Sequence, residues 1–322
     1  MLAAMALRQD PHDPVSCLEV CDIAAPKPVA DWTLVRVAAA SLNHHDLWSL
    51  RGVGLHPARL PIVLGCEGAG VAEDGAEVII SPAIGDPARG FGDETLDPDR
   101  TILSERHDGT FAEFITVPRR NLVSRPSWLS PDEAACVAVA WLTAYRMLFT
   151  RARMRPGDTV LVQGVGGGVA SAAIALAAAA GARVYATSRS EAKRKTALEL
   201  GAEAAFPIGA RMPHQADIVI ESVGEATWDH SLKSVRDGGT VVVCGASSGP
   251  NPPADLRRVF YRQKQILGST AGTRQELVAL LEFMRLRGLR PRIEQVLPLT
   301  EIHIGLRKMS HGHIDGKIVI RP

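Results

Sequence analysis

A glycine-rich turn, Gly164 to Gly168, stands between a short aliphatic run at 159–163 and an apolar, alanine-rich run at 169–180. The first run is typical of a buried strand and the second has the length of a helix. Glycines let the backbone approach a pyrophosphate, and the N-terminus of the following helix presents unpaired N–H groups to the anion. A second strand at 183–187 completes a pattern that predicts a dinucleotide site with these binding residues: Gly166, Gly167, Gly168 and Val169.

The glycine pattern departs from the full fingerprint G-x-G-x-x-G. In the frame that fits best, Val165 stands at the first glycine, Gly167 at the second and Ala170 at the third, where alanine is an accepted variant. The strand before the turn and the helix after it favour cofactor binding. The alternative is a glycine-rich connection in an α/β protein that binds nothing.

The end of the second strand selects the cofactor. An NAD site places Asp or Glu there to bond the ribose 2′-OH, but this chain has Ser188, Arg189 and Ser190, with Lys193 one helical turn further on. No carboxylate would repel a 2′-phosphate, and two cations and two hydroxyls are available to hold one, so the residues predict NADPH. The alternative is that Arg189 and Lys193 are ordinary solvated charges.

The chain from 191 to 270 is predicted to alternate further strands (204–208, 217–222, 240–244, 265–269) with helices (191–200, 227–235). Six strands in all make a complete doubly wound sheet. Ligands of such sheets bind at the carboxyl ends of the strands, which adds these residues to the predicted cofactor site: Val223, Cys244, Gly245, Ala246, Ser269 and Thr270.

The first part of the chain has a different pattern. Residues 1–126 contain short β-like runs separated by Pro, Gly and Asp, which predict a β-rich domain. Residues 83–108 are predicted to form a long loop, and 131–149 a helix capped by Ser130. The tail at 294–322 holds short strands that are expected to return to this first domain.

Composition excludes several classes of protein. The 322 residues are 46% hydrophobic and 22% charged, with a net charge of +1 and no long basic run, so neither nucleic acid nor a membrane surface is an expected partner. The five scattered cysteines fit a reducing compartment better than a disulfide framework. No signal-peptide pattern is present at the N-terminus. We therefore expect a soluble, cytoplasmic protein.

Several segments together resemble the medium-chain dehydrogenase/reductase superfamily, in its zinc-independent, quinone oxidoreductase-like branch. They are SLNHHDLWSLRG at 41–52, LPIVLGCEGAGV at 60–71, DGTFAEFITVP at 108–118, WLTAY at 141–145, the glycine turn and GKIVI at 316–320. The resemblance implies an α/β protein with a GroES-like β-rich catalytic domain (1–128 and 271–322) and a doubly wound Rossmann-type NADP-binding domain (129–270). It also implies a homodimer joined through the sixth strand.

The zinc ligands of this family are mostly replaced. By resemblance, the ligand positions are occupied by Asn43, Cys66 and Ala140, so one potential ligand of three remains. A catalytic zinc needs about three protein ligands, and no metal is expected. The cysteines of the family's structural zinc lobe are also missing, because none lies between Cys66 and Cys136.

A non-standard metal site is the alternative. Its candidate ligands are His44, His45, Asp46, Cys66 and Glu67, which would meet near the active site. Adjacent side chains on a strand point in opposite directions and rarely chelate together, which argues against this site. The pair His311 and His313 is interpreted as a solvated turn.

Without a Lewis acid, the substrate itself must delocalise the charge that hydride transfer creates, which favours a quinone or an α,β-unsaturated carbonyl compound over a simple aldehyde. The resemblance places Asn43 and Thr143 beside the nicotinamide and His45 at the proton-relay position, with Asp46 as an orienting residue. The predicted catalytic residues are therefore Asn43, His45 and Asp46. The alternative for His45 is a purely structural hydrogen bond.

Three functions remain open from the sequence. The first is an NADPH-dependent reductase of quinones or activated alkenes, acting on a small molecule without metal. The second is an alcohol dehydrogenase-like enzyme with a non-standard zinc site. The third is an NADPH-binding protein without turnover, which the imperfect glycine pattern keeps open.

Overall fold

A computed structural model describes all 322 residues. The chain contacts divide it into two compact units, one formed by Met1–Leu142 with Ala271–Pro322 and the other by Thr143–Thr270. Residues 129–142, which the sequence analysis assigned to the cofactor domain, thus group with the first unit. The functional division into catalytic and cofactor domains stays a prediction.

The strands are, in chain order, β1 Leu2–Ala6, β2 Leu18–Asp22, β3 Trp32–Ser41, β4 Ile62–Val63, β5 Gly68–Ala72, β6 Glu77–Ile80, β7 Ala83–Ile84, β8 Thr101–Ile102, β9 Phe114–Pro118, β10 Leu122–Ser124, β11 Thr159–Val162, β12 Arg183–Thr187, β13 Ala204–Phe206, β14 Ala216–Glu221, β15 Val235–Val243, β16 Gln265–Gly268, β17 Ile293–Pro298 and β18 Lys317–Arg321. The α-helices are α1 His44–Leu50, α2 Pro131–Ala134, α3 Leu142–Tyr145, α4 Gly168–Ala179, α5 Glu191–Glu199, α6 Glu225–Ser234, α7 Leu256–Tyr261, α8 Arg274–Arg287 and α9 Ile302–Ser310. None of these helices combines the length and the apolar composition needed to cross a membrane.

The first unit is built on a seven-stranded sheet in the order β10-β6-β5-β3-β18-β17, with β9 also paired to β3. The C-terminal strand β18 runs antiparallel to β3, with Val319 opposite Ser41 and Ile320 opposite Ala40. This confirms that the tail returns to the first part of the chain. The register places Lys317, at the start of β18, beside the residues that follow β3.

The second unit is a six-stranded parallel sheet in the order β13-β12-β11-β14-β15-β16. This is the strand order of a doubly wound dinucleotide-binding fold, as predicted from the alternation of strands and helices. The order reverses between β11 and β14, and ligands of such sheets bind at the carboxyl ends of the strands beside that reversal. The predicted glycine turn follows β11 at this position.

Two segments differ from their predicted structure. Residues 44–50 form helix α1, not an extended segment, and the Asn43 N–H donates to Asp46 Oδ2 at 2.8 Å in its first turn. The helix predicted over 131–149 starts at Ser130 as expected, but it contains wide π-helical turns at Val137–Trp141 and Arg146–Arg151. A π turn does not pair its N–H groups in the usual i−4 pattern, and the Val139 N–H instead donates to Glu67 Oε2 at 2.7 Å.

The long segment 83–108 is ordered by a carboxylate. The Asp97 side chain accepts hydrogen bonds from the Asp86 N–H at 2.8 Å and the Asp99 N–H at 3.0 Å. Strands β7 and β8 close the segment at its base. The Asp97 side chain thus joins two parts of this segment that lie 11 residues apart.

Candidate functional site

The glycine turn adopts backbone conformations that side chains rarely allow. Gly164 and Gly166 have φ angles of +73° and +129°. A Cβ at Gly164 would lie 2.4 Å from Cγ2 of Val223, and a Cβ at Gly166 would lie 2.6 Å from the Lys193 side chain. Helix α4 begins at Gly168, with Gly167 as its N-cap residue. The predicted residues Gly166, Gly167, Gly168 and Val169 thus lie at the N-terminus of α4.

The residues after β12, the second strand of the predicted dinucleotide site, contact the glycine turn. Ser188 is buried, and its hydroxyl donates to the Val165 carbonyl at 3.4 Å. Ser190 caps α5 by accepting the Lys193 N–H at 3.4 Å. Arg194 was missed from the sequence, although it lies one turn after Ser190: its guanidinium donates to the Ser188 carbonyl at 2.9 Å. Three cations, Arg189, Lys193 and Arg194, therefore surround this turn.

The remaining predicted cofactor residues follow the carboxyl ends of β14, β15 and β16. Val223 lies against Gly164, and Ala246 lies against Gly224, where a Cβ would be 3.0 Å from the Ala246 Cα. Cys244, Gly245, Ser269 and Thr270 lie at the same edge of the sheet, and Thr143 is buried in α3. Burial raises the pKa of the Cys244 thiol to about 12, so this thiol is protonated at neutral pH.

A buried carboxylate fixes the turn after β14. Glu221 is fully buried and accepts hydrogen bonds from the N–H groups of Val223 at 2.7 Å and Gly224 at 3.1 Å. Hydroxyls of Thr227 and Ser231 donate to the same carboxylate. Glu221 was not predicted from the sequence, although it is a charged residue at the end of a hydrophobic strand. Glu221 holds Val223 against the glycine turn.

In the first unit, the predicted catalytic residues lie at the start of α1. The Asn43 side-chain amide donates to the Ser41 carbonyl at 3.2 Å and to Glu67 Oε1 at 2.9 Å. Its Oδ1 accepts from Lys317 Nζ at 2.8 Å. Both amide hydrogens are therefore engaged within the protein, and Asn43 could donate to a substrate oxygen only by exchanging one of these bonds.

Lys317 and Glu67 form a buried ion pair around Asn43. The Lys317 Nζ lies 2.8 Å from each of Glu67 Oε1, Asn43 Oδ1 and the Leu42 carbonyl. Burial is the largest single effect and would lower the pKa of Lys317, but the charge and hydrogen bond of Glu67 together with the neighbouring Cys136 and Cys66 raise that pKa overall. The second Glu67 oxygen accepts the Val139 N–H. All three ammonium hydrogens and both carboxylate oxygens are thus paired.

His45, Asp46 and Cys66 form a second cluster, with one ligand atom of each within 4.8 Å of the others. The His45 Nε2 is 3.2 Å from Glu105 Oε1, whereas its Nδ1 is buried without a hydrogen-bond partner. Asp46 Oδ1 is also buried without a partner. Burial raises the pKa of Asp46 to about 6 and that of Cys66 well above its ordinary value.

The structure thus assembles three of the five candidate ligands considered from the sequence. Residues 45 and 46 are on a helix and not on the strand expected from the sequence, and neighbouring side chains on a helix do not point in opposite directions. Glu67 is instead paired with Lys317, and His44 packs near Trp48 with ring centroids 6.5 Å apart. Ala140, at the third family ligand position, is buried and apolar.

Comparisons with known proteins identify the family. A model described as "Alcohol dehydrogenase GroES-like domain" matches residues 29–127, and one described as "Zinc-binding dehydrogenase" matches residues 168–285. The chain belongs to the medium-chain dehydrogenase/reductase superfamily and is an oxidoreductase of that family, with a GroES-like domain and a Rossmann-like domain.

Some of the similar proteins are named as acyl-CoA carboxylase/reductases and others as alcohol dehydrogenases. A crotonyl-CoA carboxylase/reductase of Cereibacter sphaeroides is 30% identical, over 98% of this chain and 86% of the relative. A structure described as an NAD-dependent alcohol dehydrogenase superposes with a TM-score of 0.91 at 35% identity, covering 100% of both chains. A 2-octenoyl-CoA carboxylase reductase solved with NADP and 2-octenoyl-CoA gives a TM-score of 0.90 at 26% identity, covering 99% of this chain and 87% of that one.

Removing the ammonium of the buried pair should destabilise the first unit. In Lys317→Met, the Glu67 carboxylate stays buried without its counter-charge, which costs about 3–5 kcal/mol. The double variant Lys317→Met/Glu67→Gln removes both charges and should recover part of that loss. Denaturant unfolding of both variants measures the effect.

The matched control is Lys308→Met, which breaks the partly exposed Lys308–Glu294 pair. This change should cost less than about 1 kcal/mol. Equal losses in Lys317→Met and Lys308→Met would contradict the importance assigned to the buried pair.

Proposed function

We propose that this protein is an NADPH-dependent reductase of α,β-unsaturated carbonyl compounds, with quinones as the second substrate class. The observation that carries the proposal is the chemistry at the family's zinc-ligand positions. Asn43 is an amide already bonded to Ser41, Glu67 and Lys317, and Ala140 has no donor atom. These positions therefore do not supply the ligand set on which Lewis-acid activation of a simple carbonyl depends.

The proposed reaction needs no such activation. NADPH held at the glycine turn would supply a hydride, which would form a new C–H bond at the β-carbon, and the electron pair of the C=C bond would move to give an enolate, whose charge is delocalised onto oxygen. A proton then adds at the α-carbon. We assign that proton to His45, whose ring bonds Glu105, and an orienting role to Asp46, which bonds the Asn43 N–H.

The names of two relatives support this substrate class. Both the crotonyl-CoA and the 2-octenoyl-CoA carboxylase reductases are named for thioesters that carry an activated double bond. The alternative is an alcohol dehydrogenase-like enzyme with a non-standard zinc site. It is favoured by the cluster of His45, Asp46 and Cys66 and by the name of the 35% identical structure.

Turnover measured after metal removal distinguishes the proposed reductase from the alcohol dehydrogenase-like enzyme. The chain is stripped with a chelator, checked for residual metal, and assayed for NADPH oxidation with an acyclic enone, an enoyl thioester, a quinone and a simple aldehyde. We expect oxidation with the activated alkenes at an unchanged rate and little with the aldehyde. His45→Gln should lower kcat about 10²-fold or more, since a positioned proton donor contributes roughly 10²–10⁴-fold.

Activity only on the aldehyde, lost on chelation and restored by zinc, would overturn the reductase proposal in favour of the alcohol dehydrogenase. Gln is a suitable replacement because it keeps a hydrogen-bonding group near Glu105 without a transferable proton. Circular dichroism and thermal unfolding of His45→Gln show whether its loss of kcat is separate from a loss of folding.

NADPH is the proposed cofactor, bound at the carboxyl edge of the parallel sheet. The proposal rests on the turn after β12, where Ser188, Arg189, Lys193 and Arg194 supply one hydroxyl and three cations and no acidic residue stands at the strand end. A 2′-phosphate gains charge-assisted hydrogen bonds from such groups. The 2-octenoyl-CoA carboxylase reductase, solved with NADP, also supports this choice.

Fluorescence titrations of NADPH and NADH test this cofactor choice. In Arg189→Ala/Lys193→Ala, we expect the affinity for NADPH to fall at least about 10-fold, while that for NADH changes little, because only NADPH carries the 2′-phosphate. Lys195→Ala is the matched control, since Lys195 is exposed on the same helix and pairs with Glu191. Tighter NADH binding by the parent chain would contradict the proposal.

We also propose a cytoplasmic homodimer joined along β16. This strand is an edge of the parallel sheet, and unpaired strand edges readily pair with another chain. Beside it, Phe260, Tyr261 and Ile266 are exposed to 69%, 76% and 42%. An exposed apolar patch next to an open strand edge is typical of an association surface.

Sedimentation velocity tests the dimer. Tyr261→Glu/Ile266→Glu should shift the protein to a monomer, because two charges would be buried without partners at the joined edge. Leu286→Glu, at an exposed apolar position on α8, is the control and should leave the oligomeric state unchanged. A parent chain that sediments as a monomer, or a double variant that stays dimeric, would overturn this interface.

A further inference from the structure

We propose that Gln163 and Thr187 are positioning residues that set the preference for NADPH, a role that rests on the proposed cofactor. Gln163 directly follows β11 and precedes the glycine turn, whereas Thr187 ends β12 and precedes Ser188. Both residues are fully buried, and the Thr187 hydroxyl donates to Gln163 Oε1 at 2.5 Å. This hydrogen bond joins the glycine turn to the turn whose cations are proposed to hold the 2′-phosphate.

The partners of the Gln163 amide fix its orientation. The ionised Glu221 carboxylate only accepts hydrogen bonds, so the Ser231 hydroxyl donates to it at 2.6 Å. Ser231 Oγ in turn accepts from Gln163 Nε2 at 3.0 Å, which places the amide nitrogen beside Ser231 and the amide oxygen beside Thr187. A reversed amide would bring two acceptor oxygens together at Ser231 and lose that buried hydrogen bond.

His230 holds the second hydrogen of the same amide. Gln163 Nε2 lies 2.9 Å from His230 Nδ1, and an amide nitrogen only donates, so this ring nitrogen accepts. The other ring nitrogen, Nε2, then carries the proton and donates to the Ala210 carbonyl at 2.8 Å, in the segment after β13. Directly or through Ser231 and His230, one amide thus connects the segments at the carboxyl ends of β11, β12, β13 and β14.

Backbone contacts extend this network to the residues that would meet the 2′-phosphate. The Val165 N–H donates to the Thr187 carbonyl at 3.0 Å, and the Ser188 hydroxyl donates to the Val165 carbonyl at 3.4 Å. Arg189 follows directly, and the Arg194 guanidinium donates to the Ser188 carbonyl at 2.9 Å. Charge-assisted hydrogen bonds depend on direction, so a shift at Thr187 weakens the hold on a 2′-phosphate. The N-terminus of α4, where a pyrophosphate would bind, is less affected.

Thr187→Val tests this role in the full chain, because valine has the shape of threonine without the hydroxyl. Fluorescence titrations give the dissociation constants for NADPH and NADH. We expect the affinity for NADPH to fall about 5-fold and that for NADH less than about 2-fold, which lowers the NADPH/NADH preference. Thr187→Ser keeps the hydroxyl and should restore the preference. Thr240→Val is the matched control, since Thr240 is buried in the same sheet outside the network, and it should leave the preference unchanged.

An unchanged preference in Thr187→Val, or equal losses for the two cofactors, would overturn the positioning role even where thermal stability falls. If Thr187→Val does not fold, Gln163→Met is titrated in the same way: a lower preference supports the role and an unchanged one overturns it. Where both fold, the double variant should lose no more than either single variant, because one hydrogen bond links the two residues. The parent's own preference tests the cofactor, and the change in the variants tests the positioning role, so the two can fail separately.

Discussion

The arrangement of the first unit depends on the ion pair between Lys317 and Glu67. The two side chains are exposed to 4% and 0%, so both charges have been removed from water. Such a pair is tolerated only when hydrogen bonds satisfy every remaining polar group. Here the Leu42 carbonyl, the Asn43 and Ser41 side chains and the Val139 N–H complete the set. The pair thus joins β18, the end of β3, the approach to β5 and a π turn at one point.

The second unit also contains a buried carboxylate, but this one is not part of an ion pair. Glu221 is buried at the end of β14, and its charge is met by two backbone N–H groups and two hydroxyls. Its effect is local, because the bonds hold Val223 beside Gly164, where only glycine fits. In both units a buried acid fixes the loop that follows a strand. The acid in the first unit differs in that one of its partners is a cation, Lys317.

The parts of the fold that were predictable are those with a regular hydrophobic pattern. Strand 183–187 has its predicted bounds, helix 191–200 ends one residue earlier than predicted, and the six-stranded sheet follows from strand and helix alternation. Helix α1 was not predicted, because seven residues with two histidines and a tryptophan carry no helical periodicity. The π turns were also missed, and in the one at Val137–Trp141 the Val139 N–H bonds Glu67, which is distant in the sequence. Long-range polar contacts of this kind leave no local signal.

Because only local patterns can be recognised in a sequence, only part of the candidate site was predictable. The glycine turn and its neighbours were found because dinucleotide binding is encoded in a local pattern. The partners of Asn43 were not found, since Lys317 lies 274 residues away and meets Asn43 only through the pairing of β18 with β3.

That distant contact changes the chemistry at position 43. An amide held by an ammonium and a carboxylate is fixed in place and has no hydrogen left to donate. Buried polar atoms without a hydrogen-bond partner lie instead on the first turn of α1, at His45 Nδ1 and Asp46 Oδ1. The unused hydrogen-bonding capacity in this part of the unit therefore belongs to His45 and Asp46 and not to Asn43.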